Sequence, residues 1–396
     1  MSNEEKLVKI LKFVSEYNDF YKNRIKQYGI TNPLDITQWP ILTRKELQKN
    51  RYNMFSDGYK SKYLNFQLRR HSSSGTSGIP VNVYWSQEEY TKSILSLWRK
   101  REKWYHVTTK DSVVSFDLPR WRDECDFSIE RGNKLMFNAA LLTSEERYIE
   151  AARHISRFNP SWIYIQPFIL SRLVFCYKKY GIDLPRNVKY IESVGEILTK
   201  QLKLNAEKFF CTHVANMYGS QEHNGIAFEC PYGKMHILND NVFVENNAII
   251  TNLNNYAFPL IRYEQGDDIK ISVSSSVCRC GMEEHCIDLI GGRHSQSFNA
   301  NGKEINAYLL SDAINIVNNQ FNGMISEYLF EYSCSKKTLQ CTIQLNCNSG
   351  QWPTQVVSEV YRELNYRVPM TDIKISVSND NHQYSTRKPI ILSIIS

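Results

Sequence analysis

The sequence predicts an α/β protein. A large N-terminal domain has mixed and parallel sheets flanked by helices plus a β-rich subdomain, and a small α+β C-terminal domain follows. Three observations lead there. Between about 110 and 250, short apolar runs at 113–116, 162–165 and 188–191 alternate with helical stretches at 145–157 and 199–209, the pattern of βαβ units. Residues 242–251 and 269–273 then read as strands of a more antiparallel region. The last hundred residues read as a helix at about 305–318, strands at 327–333 and 338–346, a helix at about 353–365 and a strand at 372–378. The change of character falls near 291–297, which sets a large domain at 1–292, its β-rich part at about 225–290, and a small domain at 293–396.

Residues 4–28 have helical spacing, with Leu7, Ile10, Leu11, Val14, Tyr17 and Tyr21 on one face, and Gly29 and Asn32-Pro33 stop the helix. A second helical unit at 35–51 contains Thr43-x-x-Glu46, the spacing of a capping box. A Ser/Gly cluster at 72–78 precedes the strand-like VNVYW, and 86–104 is again helical.

Composition narrows the class. The 396 residues are 42% hydrophobic and 22% charged, ordinary globular usage that excludes disordered, collagenous and coiled-coil chains. The formal charge of +7 fits small polyanionic ligands and lacks the clustered basic face that nucleic acid requires. Ten cysteines scattered over this length are not a secreted disulfide scaffold. The start MSNEEKLVKIL is acidic where a signal peptide is basic, and no run of about 18 apolar residues follows. The expectation is a cytoplasmic protein with reduced thiols and no membrane span.

Four segments can carry chemistry. In HSSSGTSGIP, Ser72, Ser73, Ser74, Gly75, Thr76, Ser77 and Gly78 offer hydroxyls and Cβ-free backbone N–H groups that suit a triphosphate; the alternative is a surface turn. In YGSQEHNGIAFECP, Tyr218, Gly219 and Ser220 precede Glu222, whose carboxylate suits Mg2+ bridging phosphate oxygens, against the commoner exposed loop glutamate. In NYAFPLIRYEQGDD, Asp267 can accept from a ribose, or Gly-Asp marks a tight turn. In IGGRHSQ at the domain boundary, glycines permit large backbone rotations and Arg293 can meet a phosphate or ribose.

In this order the motifs resemble the adenylate-forming superfamily, and within it the branch of phenylacetate–CoA ligase and related capsule-synthesis ligases. The family's Ser/Thr/Gly phosphate loop matches 72–78, and its adenine-packing element matches Gly195 and Glu196. Its Tyr-Gly-x-x-Glu motif matches Tyr218 to Glu222, its Arg-Tyr-x-x-Gly-Asp motif Arg262 to Asp267, and its Gly-Arg hinge Gly292-Arg293. The resemblance covers about 1–390. It implies an ATP- and Mg2+-dependent, AMP-forming acid–thiol ligase with coenzyme A as co-substrate and a mobile C-terminal lid. Lys388 falls where the family places its catalytic lysine, preceded by Arg387 instead of Gly. The resemblance also leaves open transfer to an amine or a carrier-protein thiol, an inactive nucleotide-binding scaffold, and a homodimer. It places the acyl pocket near Phe137, Trp162, Tyr164, Phe168 and Tyr218, aromatics that suit an aryl or alkyl monoacid or belong to the core.

Cys230, His236, Cys278 and Cys280 make a Cys3His set suited to tetrahedral, structural Zn2+, with His223, His285 or Cys286 as variant members; the alternative is unpaired thiols on a loop. Cys125, Cys176, Cys211, Cys334, Cys341 and Cys347 read as core thiols. His71, just before the phosphate loop, is either a phosphate donor or a strand-end residue.

Overall fold

The computed structural model describes residues 1–73, 81–117, 127–272, 277–282, 285–293, 297–321, 324–345, 354–368, 372–378 and 392–395. The chain divides into two compact units, Met1–Trp104 with Met217–Ile290 and Tyr105–Asn216 with Gly291–Ser396. Among the described residues no helix is long and apolar enough to cross a membrane.

The first unit opens with two helices where the periodicity predicts one, Asn3–Tyr17 and Asp19–Tyr28. The break is Asn18, an extended residue whose side chain accepts from Tyr21 N and donates to Met54 O at 2.9 Å. Uninterrupted apolar spacing hides such a cap, because the residue that stops one helix starts the next in phase. The capping box lies at Ser2 and Glu5. At Thr43 only half a box forms: its side chain caps Arg44–Lys49, while Glu46 pairs with Arg24. The core gathers Ile10, Leu11, Val14, Tyr21, Trp39, Phe55, Trp85, Phe258 and Tyr263. Tyr21 stitches distant chain into it, donating to Pro259 O and accepting from Ile261 N, both at 3.0 Å.

Strands Asn224–Glu229, Met235–Ile237 and Cys286–Arg293 run antiparallel in this unit, with Asp267–Ser272 at the edge. Val242–Glu245, Ile249–Asn252 and Tyr263–Glu264 make a three-stranded antiparallel sheet. Ile226, Ile237, Val242, Ile250, Ile269 and Ile287 form one apolar cluster between them.

The second unit carries the expected βαβ pattern. Val113–Asp117 lies between Lys134–Asn138 and Trp162–Ile165, both parallel to it, and Tyr190–Val194 continues the parallel run. Ser128–Arg131 closes the edge in antiparallel sense, making the sheet mixed. Helices Glu145–Phe158 and Pro167–Tyr180 are the crossovers, their apolar faces buried on Val114, Phe116, Ile163, Ile165 and Ile191. From Ser297 onward a four-stranded sheet runs in the order Asp372–Ser378, Thr338–Leu345, Ile325–Ser333, Leu392–Ile395. Its central pair is antiparallel and both outer pairs are parallel. With helices Ala307–Gln320 and Thr354–Arg367 it encloses its own core, which includes Leu310, Ile314, Phe330, Ile343, Val360 and Leu364. Asn315 Nδ2 donates to Thr199 Oγ1 at 2.8 Å, tying this segment to the start of helix Lys200–Phe210.

Two cysteines depart from expectation. Cys176 and Cys341 are buried, but Cys211 and Cys334 are exposed. Cys211 is a left-handed helix C-cap, and Cys334 follows the end of a strand; apolar neighbours in sequence do not bury a residue at a turn. Cys125 and Cys347 lie outside the described residues.

Candidate functional site

The phosphate-loop candidate rises from a short hairpin, Arg69–Ser72 against Asn82–Trp85. Ser72 bonds Asn82 across it. Ser73 closes the base twice: its N–H donates to Val81 O, and its Oγ accepts from Val81 N, each at 2.9 Å. Arg44 also donates to Ser73 Oγ at 3.2 Å, a cation at the loop base that no motif announced. Ser74, Gly75, Thr76, Ser77 and Gly78 lie outside the described residues. His71 on the first strand is 8% exposed, its ring edge-on to Tyr90 at 5.2 Å.

Tyr218, Gly219, Ser220 and Glu222 surround a hairpin turn between strands His213–Ser220 and Asn224–Glu229. The register slips between Tyr218 and Gly219, a bulge of the kind that re-aims side chains beside functional sites. Glycine is required there, since a Cβ at Gly219 would stand 2.4 Å from Asn224 O. The Tyr218 hydroxyl donates to Asp267 Oδ2 at 2.7 Å, so two motifs 49 residues apart meet. Ser220 Oγ accepts from His223 N at 3.2 Å and donates to Gln265 Oε1 at 3.3 Å. Glu222 is 3% exposed, which removes the exposed-loop alternative. His223 is wholly buried, and burial pushes its pKa down to about 3, so the ring is neutral.

Asn241 is the residue here that sequence reasoning missed. Fully buried, it donates from Nδ2 to the carbonyls of His223 at 2.8 Å and Gly225 at 2.6 Å, clamping the turn from behind. Its Oδ1 accepts from Asn254 at 3.0 Å. A lone asparagine in a loop carries no sequence signal, because only the fold shows which carbonyls it meets. Arg262, the first residue of the third motif, forms an ion pair with Glu245 at 3.0 Å.

In the second unit, Glu196 accepts from Phe168 N at 3.2 Å at the start of helix Pro167–Tyr180, where a carboxylate meets the positive helix end. Among the acyl-pocket candidates, Phe137 and Trp162 are core, stacked on Phe116 and Tyr190, whereas Tyr164 and Phe168 are half-buried. Lys388 and the side chain of Arg293 lie outside the described residues.

The Cys3His set converges. Ligand atoms of Cys230, His236, Cys278 and Cys280 all lie within 4.8 Å of one another. Two tight turns present them: Gly233 N donates to Cys230 O at 2.9 Å and Gly281 N to Cys278 O at 2.8 Å. Both glycines have positive φ, +74° and +80°, which a side chain would resist. A tetrahedral ion with Zn–S of about 2.3 Å and Zn–N of about 2.0–2.1 Å sets S···S near 3.8 Å and S···N near 3.6 Å. The Cys230–Cys278 sulfurs are 3.9 Å apart, and Cys280 Sγ is 3.3 Å from His236 Nε2, so the donor set fits.

Without a cation two of the three thiols resist ionisation. Burial, with the Cys278 sulfur adding, pushes Cys280 up to about 12, and burial raises Cys230. At Cys278 burial raises and the Cys280 N–H lowers, with the net downward. His236 falls to about 4, through burial first and then Lys100, Lys234 and Lys103, which leaves a neutral imidazole suited to a metal. His223 and His285 stand outside the converging set, as does Cys286.

No protein-family model and no curated protein matches the chain. Solved structures do. A 2-hydroxyisobutyryl-CoA ligase, in the postadenylation state with an acyl-AMP, superposes with TM-score 0.76 at 14% identity over 98% of this chain and 88% of that one. The anthranilate CoA ligase AuaEII, in complex with anthranoyl-AMP, gives 0.53 at 10% identity over 81% and 66%. The A domain of the carboxylic acid reductase from Segniliparus rugosus, in complex with AMP and a carboxylic acid, gives 0.53 at 11% over 78% and 56%. The chain has the fold of the AMP-forming, adenylate-producing acyl-CoA ligases.

Proposed function

We propose that this protein activates a carboxylic acid with ATP to an acyl-adenylate and pyrophosphate, then transfers the acyl group to a thiol, that of coenzyme A. The observation that carries the reading is the Tyr218–Asp267 hydrogen bond, because it joins two of the ordered motifs as one working surface. The superposition on ligases holding acyl-AMP supports it.

In the first step a carboxylate oxygen attacks the α-phosphorus and pyrophosphate leaves. Two anions approach, so the site must supply positive charge and donors aimed at the developing pentacoordinate phosphorus. The loop of Ser72, Ser73, Ser74, Gly75, Thr76, Ser77 and Gly78 holds the β- and γ-phosphates, and Lys388 bridges the carboxylate and the α-phosphate. Gly195, Glu196, Tyr218, Gly219 and Ser220 are the adenine-binding candidates, Asp267 is the acceptor for the ribose hydroxyls, and Arg293 is the candidate that assists it. Glu222 is the residue to hold Mg2+, which neutralises phosphate charge. In the second step the thiolate attacks the acyl carbon and AMP leaves with the P–O bond intact.

In this reading 1–292 is the large adenylating domain and 293–396 the small domain that acts as a lid between the two steps. Cys230, His236, Cys278 and Cys280 would hold a structural zinc that staples the β-rich subdomain, a four-ligand set that would leave no position for water. The substrate is an aryl or alkyl monoacid, the affiliation is with the phenylacetate–CoA ligase branch, and the compartment is the cytoplasm. The test is product analysis: acid, ATP and coenzyme A yield AMP and an acyl-thioester in equal amounts. Acyl transfer to a phosphopantetheinyl carrier protein but not to free coenzyme A would move the acceptor assignment.

A further inference from the structure

We infer that Cys286 is the residue that orients His236 for its metal. The inference rests on the zinc reading above and adds a residue that is not a ligand. His236 and Cys286 are the in-register pair where Met235–Ile237 runs antiparallel to Cys286–Arg293, so their side chains share one face of the sheet. The two imidazole nitrogens face different sulfurs: Nε2 is 3.3 Å from Cys280 Sγ, and Nδ1 is 3.7 Å from Cys286 Sγ.

The lone pairs of an imidazole diverge, so one ion meets one nitrogen. An ion among the Cys230, Cys278 and Cys280 sulfurs takes Nε2, and Nδ1 must then carry the proton. That proton needs an acceptor. His236 is fully buried and Cys286 is 6% exposed, so bulk water does not reach the contact, and Cys286 Sγ stands in its direction. The Trp104 ring, 5.6 Å away, packs against the imidazole and limits its tilt. In the opposite tautomer the Cys286 S–H donates to Nδ1, and an Nε2 proton points at the cluster, where it blocks coordination. Cys286 therefore selects the metal-competent tautomer once the ion is present, the part that an outer hydrogen-bond acceptor plays for a ligating histidine.

The experiment compares wild type, Cys286→Ala and Cys286→Ser by competition for zinc with a chromogenic chelator and by the absorption of the cobalt-substituted proteins. Cys286→Ala is expected to weaken zinc binding by about 10- to 100-fold, with the thiolate-to-cobalt bands at wild-type intensity. Cys286→Ser, which keeps an acceptor, is expected to recover part of the loss. Unchanged zinc affinity in Cys286→Ala overturns the inference. So does a loss of thiolate-to-cobalt intensity in that variant, because it makes Cys286 a ligand. A wild-type protein that binds neither metal refutes the zinc reading and this inference together, whereas tight wild-type binding with an indifferent Cys286→Ala refutes this inference alone.

Discussion

Replacing Gly219 by alanine asks whether the turn holding Glu222 is the working centre of the site. A Cβ there would lie 2.4 Å from Asn224 O, 3.1 Å from Met217 Sδ and 3.2 Å from Asn224 C. Two of those three atoms are backbone across the hairpin, so no side chain can swing away to make room. Real Cβ atoms essentially never come within 3.0 Å of such neighbours, so the strands must part by at least about 0.6 Å. Overpacking of this kind costs about 1–3 kcal/mol. The larger effect is geometric, since the displacement falls between Tyr218 and Glu222. A misplacement of about 1 Å can cost on the order of 10²-fold in rate. Gly225→Ala is the matched control, because the atom at 2.8 Å there is the end of the flexible Leu238 side chain. The assay is acid-dependent pyrophosphate exchange alongside the thermal midpoint. Gly219→Ala should lose about 10²-fold in exchange with a midpoint only a few degrees lower, and Gly225→Ala should keep most of its activity. Equal rates in wild type and Gly219→Ala, or equal losses in both variants, would show that the turn holding Glu222 is not the working centre of the site.

Two further perturbations probe the same surface. Tyr218→Phe removes the hydroxyl that donates to Asp267 and should raise the KM for ATP by about tenfold, or about 1.4 kcal/mol, with a smaller change in kcat; an unchanged KM would detach Asp267 from nucleotide binding. Asn241→Leu leaves the buried carbonyls of His223 and Gly225 without their donor and should destabilise the chain by about 2–4 kcal/mol in denaturant titration; an unaltered midpoint would show that the clamp carries nothing.

Much of the fold was legible because its signals are local. Alternating apolar runs and helices announced the parallel strands of the second unit, and the changed pattern after about 297 announced the sandwich-like C-terminal segment. The Cys3His set was legible through chemistry, since few other arrangements of three thiols and an imidazole make sense. What escaped depends on meeting across the chain. Asn18 breaks a helix without breaking its periodicity. Arg44 reaches Ser73 across 29 positions, and Asn241 finds its carbonyls only once the hairpin exists. Cys211 and Cys334 looked buried because their neighbours are apolar, yet each sits at the end of an element. Glu196 shows a further limit: its place beside Gly195 suggests the nucleotide, while its carboxylate also caps a helix, and one residue can serve both ends.

Carboxylate activation with release of pyrophosphate is tested most directly by ATP–pyrophosphate exchange over a panel of aryl and alkyl monoacids, with Lys388→Ala run beside the wild-type chain. Carboxylate activation predicts that at least one acid drives labelled pyrophosphate into ATP, and that Lys388→Ala lowers that rate by about 10²-fold or more, as loss of a charge aimed at the transition state does. Tight ATP binding with no exchange for any acid would contradict it.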